Sequence, residues 1–269
     1  MKKTLALAAL GLLIGTVDIA AQEQIMVGGA GSMIPLMQEL AKAYQTKHAG
    51  DRIEIMPNSL GSSGGIKATD AGRLAIGLTG RPLKASEQGK LVHRGFGVMP
   101  VVIAVHRDVP VTTLKEAQIC AIFSGQVTSW KDLGGPDAKI LPLTRNEDDS
   151  DKEALRAIVG CYKDLKEPSH VVVLTKGSEM TAALGSRPGT IGLTTYAATL
   201  KASGAFKAVA IEGVAPAPDS VRAGRYKLVK NFGVVTVGEP RGLAQRFLTF
   251  VAGPEGEQIM TQTGVVARR

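Results

Sequence analysis

The chain has 269 residues, of which 44% are hydrophobic, 4% aromatic and 21% charged, with a formal net charge of +8. That length suits one large or two ordinary domains. The basic surplus is scattered as single residues with few aromatics between them, which argues against nucleic-acid binding while leaving a mild positive field that steers small anions.

Lys2 and Lys3 precede an apolar stretch over residues 5–17 and the small residues Ala20 and Ala21. This is the pattern of a secretory signal peptide, residues 1–21, cut near Gln22. The stretch is shorter than the roughly 20 apolar residues of a membrane span. The mature protein is therefore expected to be soluble and exported to the periplasm. Export makes Cys120 and Cys161, on two predicted helices, candidates for a disulfide that only their distance in space decides.

Residues 25–27 form a short apolar run ending in Gly28-Gly29-Ala30-Gly31-Ser32, and Pro35 then opens Leu36, Leu40, Ala43 and Tyr44 at helical spacing. The reading is strand, glycine-rich turn, helix. It is not a dinucleotide fingerprint, since Ile34 stands where the third glycine would fall. Residues 53–55 and the turn Asn58-Ser59-Leu60-Gly61-Ser62-Ser63-Gly64-Gly65 repeat the arrangement. Two such turns at successive strand ends meet on one edge of a parallel sheet, where open α/β folds bind ligands. Residues 74–78 read as a third strand before Gly80-Arg81-Pro82, residues 84–92 as a helix, and residues 97–105 as a strand buried on both faces. Residues 113–123 read as an amphipathic helix. After the acidic loop Arg145-Asn146-Glu147-Asp148-Asp149-Ser150-Asp151, residues 154–162 are expected as a helix, 171–174 as a strand, 178–184 as a helix and 190–194 as a strand. Residues 213–219 read as a surface loop, 227–237 as a long apolar strand, and 243–251 and 256–263 as closing helices. Alternating strands and helices imply an α/β fold with mostly parallel sheets, and two long apolar crossings imply a discontinuous first domain.

Ser150 with Glu153 three residues later reads as a capping box at a helix start, where backbone N–H groups and the helix dipole favour an anion. The same loop carries Glu147, Asp148, Asp149 and Asp151 beside Arg145.

In order and spacing, Gly29-Ala30-Gly31-Ser32, the stretch Gly61-Ser62-Ser63-Gly64-Gly65-Ile66-Lys67, Ile122-Phe123-Ser124-Gly125 with Thr128-Ser129-Trp130, Pro188-Gly189-Thr190-Ile191-Gly192 and Gly253-Pro254-Glu255-Gly256 resemble the periplasmic phosphate-binding proteins of phosphate ABC transporters. The resemblance spans nearly the whole mature chain. It implies the type II periplasmic binding fold, in which two α/β lobes joined by two hinge crossings close on a ligand. It also implies a small oxyanion, phosphate first, as ligand, and a membrane permease as partner. The lobes would be residues 22–100 with 228–269, and residues 101–227. A monomer without cofactor, metal or catalytic role is expected.

Carried over residue by residue, the resemblance points to Ser32, Met33, Ile34, Ser62, Ser63, Gly80, Arg81, Arg145, Asp149, Ser150 and Asp151 as the ligand site. Met33 stands where the family has a phosphate-gripping Thr, and Gly80 where it often has an Asp that accepts a phosphate proton. Asp148-Asp149-Ser150-Asp151 replaces a Gly-Ser-Gly-Thr type of stretch after the family's Arg. A carboxylate about 4 Å from a bound anion repels it by roughly 4 kcal/mol at an effective dielectric of about 20, more than the 0.3 to 2 kcal/mol that a helix dipole returns. Three readings follow. Carboxylates facing solvent leave a weakened oxyanion receptor. An Asp filling the anion hole turns the cleft, with Met33, Ile34 and Leu60, toward a neutral, apolar or cationic ligand. Converging carboxylates would hold a cation such as calcium, although the calcium-loop spacing is absent. An enzyme finds little support: His48, His93, His106 and His170 form no metal-spaced pair, neither cysteine has redox or metal-site spacing, and Gly61-Ser62-Ser63-Gly64 is not a nucleophile elbow. A third class is a ligand-free envelope interaction or sensor protein.

Overall fold

The computed structural model describes residues 23–268, so the signal-peptide reading lies outside the described residues. The elements run β1 (Gln24–Gly29), α1 (Ile34–Lys47), β2 (Arg52–Ile55), α2 (Gly61–Asp70), β3 (Ile76–Thr79) and β4 (Leu91–His106). They continue through β5 (Thr113–Leu114), α3 (Glu116–Phe123), β6 (Leu141–Arg145), α4 (Ser150–Ile158), β7 (Val172–Leu174), α5 (Gly177–Ser186), β8 (Thr190–Thr195) and α6 (Tyr196–Lys201). The chain closes with β9 (Phe206–Ala208), β10 (Ala210–Ile211), α7 (Pro218–Arg222), β11 (Val229–Val237), α8 (Gly242–Ala252), α9 (Pro254–Gln262) and β12 (Val266–Ala267). Pro35 and Pro254 sit in the first turns of α1 and α9, where a missing N–H costs nothing.

The main sheet has the order β2-β1-β3-β11-β4-β8-β6-β7. β1 pairs in parallel with β2 and β3, and β6 in parallel with β7 and β8. The strand that joins these halves is β4: residues 91–100 pair antiparallel with β11, and residues 101–105 pair antiparallel with β8. The sheet is therefore mixed rather than mostly parallel, because β11 brings the chain back against both β3 and β4. Each half buries its own core, one around Val27, Met37, Leu40, Ile76, Phe232 and Phe247, the other around Ile103, Phe123, Trp130, Leu155, Tyr162 and Leu193. Two cores on one shared strand make the expected two-lobed α/β architecture.

Some elements differ from their expected form. Residues 84–92 are not a helix. A single 3-10 turn, Ala85–Glu87, precedes β4, whose residues Leu91 and Val92 are drawn into register with Val237 and Thr236. β5 takes the first residues of the expected helix 113–123 by pairing with β10. The expected helix 154–162 starts earlier, at Ser150, and breaks after Ile158 into a 3-10 turn, Gly160–Tyr162. Pro218, expected in a loop, opens α7. No helix among the described residues is long and apolar enough to cross a membrane.

Cys120 and Cys161 form a disulfide with Cα atoms 6.2 Å apart, tying α3 to the turn after α4 beside the edge-to-face pair Phe123 and Tyr162. The bridge closes a loop with a sequence separation of 41. A cross-link of that span removes enough unfolded-state entropy for about 4 kcal/mol in the chain-entropy model. Replacing both cysteines by Ala is expected to lower unfolding stability by about 2–4 kcal/mol, measured by urea denaturation with the m-value fitted separately for each form, and to abolish the effect of reductant on Tm.

Candidate ligand site

The turns after β1, β2 and β3 lie at the carboxyl ends of their strands. Gly29 has φ +138°, and a side chain there would collide with the Leu78 carbonyl, so only glycine lets the first turn pack against β3. The Ser62 hydroxyl, in the first turn of α2, accepts a hydrogen bond from the Gly80 N–H at 3.0 Å and so ties the second turn to the end of β3. Ser32 sits half-buried in the 3-10 turn Gly31–Met33, with no hydroxyl hydrogen bond among the described residues. Met33 is fully buried in the first lobe's core and Ile34 is also buried, which gives both a packing role.

The acidic loop reaches this edge from the other lobe. Asp149, not Ser150, is the N-cap of α4, and Ser150 is its first helical residue. Asp149 Oδ1 accepts from the Asp151 N–H at 2.9 Å, and Oδ2 accepts from Arg145 Nη2 at 2.7 Å. Asp and Ser cap equally well, so the choice between adjacent residues falls to Arg145, which holds Asp149 from the end of β6. The expected capping box is corrected accordingly: the Glu153 carboxylate does not turn back to the cap but lies 2.9 Å from Lys84 Nζ and 3.4 Å from Arg81 Nε. Ser150 seats directly on Gly80, where an added Cβ would stand 2.7 Å from the serine Oγ. Gly80 is therefore the space into which the start of α4 fits.

Asp151 is only 8% exposed, and its carboxylate is paired with the ammonium of Lys230 on β11, itself 3% exposed. The ammonium also lies 5.8 Å from the centre of the Phe232 ring. Lys230 is absent from the sequence-predicted site because residues 227–237 read as an apolar strand. A signal was present: Leu228, Lys230, Phe232 and Val234 alternate as one buried face, and a lysine on such a face requires a partner. Arg145, 6% exposed, also donates from Nη1 to the Leu174 carbonyl at 3.0 Å, and its buried Nε has no hydrogen-bond partner.

Arg81 and Ser63 belong to an adjoining network. Arg81 holds Glu87 through two hydrogen bonds of 2.7 Å and donates to Ser63 Oγ at 2.9 Å. Behind the site, α4 is fixed by Lys152, 1% exposed, whose ammonium meets Glu167 at 2.7 Å; Glu167 in turn accepts from Thr144 and from the Tyr162 hydroxyl.

Glu147 and Asp148 are exposed, Asp149 is half-buried and Asp151 is buried, and the last two are paired with Arg145 and Lys230. No group of three His, Cys, Asp or Glu side chains among the described residues is placed to hold a metal ion. Burial pushes the Asp151 carboxyl above its ordinary value, against the pull of Lys230, and neighbouring Asp149 adds to the rise. Burial acts on Asp149 in the same sense, but the hydrogen bond from Arg145 prevails and holds it below. The hydrogen bonds from Arg81 hold Glu87 below its ordinary value, and burial pushes His93 down.

A family model described as a PBP superfamily domain matches residues 16–255. The phosphate-binding protein PstS of Bacillus subtilis is 25% identical over 251 residues, covering 91% of this chain and 81% of that one. A substrate-binding protein assigned to phosphate ABC transport, crystallised with bound phosphate from Clostridium perfringens, has a TM-score of 0.84 at 27% identity and covers 91% of this chain and 100% of its own. An ABC-type phosphate transport receptor from Vibrio cholerae, 24% identical with a TM-score of 0.70 over 90% of this chain and 99% of its own, shares the fold.

Lys230→Met alone leaves the Asp151 carboxylate buried without a counter-charge and is expected to cost about 3–5 kcal/mol of unfolding stability. Lys230→Met combined with Asp151→Leu should recover most of that loss, a double-mutant cycle read by chemical denaturation. The depressed carboxyl of Glu87 contributes stability that is present above its ordinary value of 4.5 and lost as pH falls through its lower folded value. In Glu87→Gln the fall of stability on acidification below that pH should be shallower, measured by urea titrations across the acid range.

Proposed function

The chain belongs to the PBP superfamily, and on that premise we propose that it is an exported solute receptor that closes two lobes on a small oxyanion, inorganic phosphate first. One observation carries this reading. Two buried cations, Arg145 and Lys230, reach the start of α4 from different strands, and Arg145 retains an unpartnered buried N–H. A guanidinium and an ammonium at a helix start form an anion site by charge, by donor geometry and by dipole together. The phosphate bound to the similar Clostridium perfringens protein and the name of the Bacillus subtilis relative support the same class of ligand.

In this proposal Arg145 and Lys230 contact the anion, Ser32 and Ser62 supply hydroxyls from the turns, and Gly80 with Ser150 sets how closely the lobes meet. Asp149 orients Arg145. Arg81 and Ser63 brace the adjoining seam through Glu87 and Glu153. The lobes are residues 22–100 with 228–269, and residues 101–227. Two contacts support crossings at the middle of β4 and just before β11: the Val101 N–H donates to the Leu228 carbonyl at 3.0 Å, and the Tyr226 hydroxyl donates to the Val101 carbonyl at 2.7 Å. The receptor works as a monomer in the periplasm, catalyses no reaction, needs no cofactor, and hands its ligand to an ABC-transporter permease.

Calorimetry of the mature protein with phosphate, arsenate and sulfate tests this reading. Saturable phosphate binding is expected, and Arg145→Ala should weaken it roughly 10- to 100-fold, the worth of a charge-assisted hydrogen bond. Absence of heat with every oxyanion would reject the oxyanion reading in favour of a neutral or cationic ligand or a ligand-free role.

A further inference from the structure

We propose that Asp151 is an internal anion that occupies the ligand position on Lys230 when no solute is bound, so that capture of an oxyanion is an exchange at Lys230. The proposal rests on the oxyanion-receptor reading and specifies how that site is regulated.

The main charged donors that an oxyanion would use already face carboxylates of the protein itself. The Lys230 ammonium is paired with the Asp151 carboxylate, and Arg145 Nη2 with Asp149 Oδ2. The amide N–H of Asp151 is capped by Asp149 Oδ1. Two carboxylates thus face two cations, the same balance that one doubly charged oxyanion would provide. The groups facing Asp151 are Lys230 from β11, Arg145 from β6 and Asp149 from its own loop.

Lys230 lies on the strand that returns to the first core, and Asp151 on the helix packed on the second. Their ion pair therefore spans the seam between the lobes and draws them together without a ligand. Its position also depends on Gly80. A side chain there would push Ser150 back, and with it the turn that carries the carboxylate to Lys230. An incoming oxyanion cannot simply add to the pair. A retained carboxylate at ion-pair distance opposes a second anion by a Coulomb energy equivalent to several hundred-fold in affinity. The Asp151 carboxylate must leave Lys230, or lose its charge, as the ligand arrives.

Asp151→Asn keeps the shape of the side chain and an acceptor for the ammonium while removing the competing charge. Titration calorimetry with inorganic phosphate should give at least 10-fold tighter binding to this variant than to the wild-type protein. Asp151→Ser, a smaller side chain, should change affinity in the same direction, and thermal melts establish that both variants fold. In small-angle scattering without ligand, the wild type should be as compact as the phosphate-bound Asp151→Asn protein, whereas ligand-free Asp151→Asn should be more open. Unchanged or weaker phosphate affinity in both variants would overturn the internal-anion proposal and leave the receptor reading standing. If neither wild type nor variants bind any oxyanion, the receptor reading fails. Scattering then still decides the latch, since equal compactness of ligand-free wild type and Asp151→Asn overturns it and opening of the variant alone upholds it.

Discussion

Much of this molecule follows from the need to neutralise Lys230. A lysine placed on the buried face of a central strand cannot remain charged without a counter-ion, and desolvating it alone would cost several kcal/mol. The partner cannot come from the neighbouring strands, because neither β3 nor β4 carries a carboxylate side chain. It comes instead from α4, across the boundary between two separate cores. That requirement draws the start of α4 against β3, and the close approach of Ser150 calls for glycine at position 80.

The start of α4 answers a second requirement of the same kind. A helix N-terminus presents N–H groups that need acceptors, and Arg145 needs a carboxylate. Asp149 meets both at once, with one oxygen on the Asp151 amide and the other on the guanidinium. The buried Lys152–Glu167 pair with Thr144 and Tyr162 then holds the helix from behind, and Arg156 satisfies the carbonyls of Tyr162, Lys163 and Leu165. The disulfide anchors the turn that follows. The loop is thus braced from several sides, although its composition suggests a solvated acidic surface.

How much of this was legible in the residues depended on whether the signal was local. The two strand–turn–helix units at Gly29 and Ser62 are readable because apolar runs and Gly/Ser clusters act over a few residues, and the same holds for the closing helices. Arg145, Asp149 and Asp151 stand out by charge at a helix start. The cap lay one residue from the expected position because Asp149 and Ser150 are equally suitable locally, and a tertiary contact from Arg145 decides between them. Residues 84–92 follow the same logic in reverse, since pairing with β11 overrides a helical pattern. Lys230 escaped because a single charge within an apolar strand resembles an edge or a strand end, and its meaning depends on a partner 79 positions away. The pairing of Cys120 with Cys161 was likewise a question of distance that spacing leaves open.

A receptor whose closed form already contains a paired anion obeys a different arithmetic from one with an empty hole. Affinity then depends on the difference between the ligand's interactions with Lys230 and Arg145 and those of the carboxylates it replaces. The apparent dissociation constant rises in proportion as the binding-competent state becomes rarer. Asp149 and Asp151 contribute unequally to that difference. Asp149 caps a helix and steers Arg145, so removing it disturbs the site it occupies. Asp151 caps nothing with its side chain and serves mainly to meet Lys230. In the proposed exchange the acidic loop divides two tasks, with Asp149 bracing Arg145 and the helix start and Asp151 holding Lys230 until a ligand replaces it.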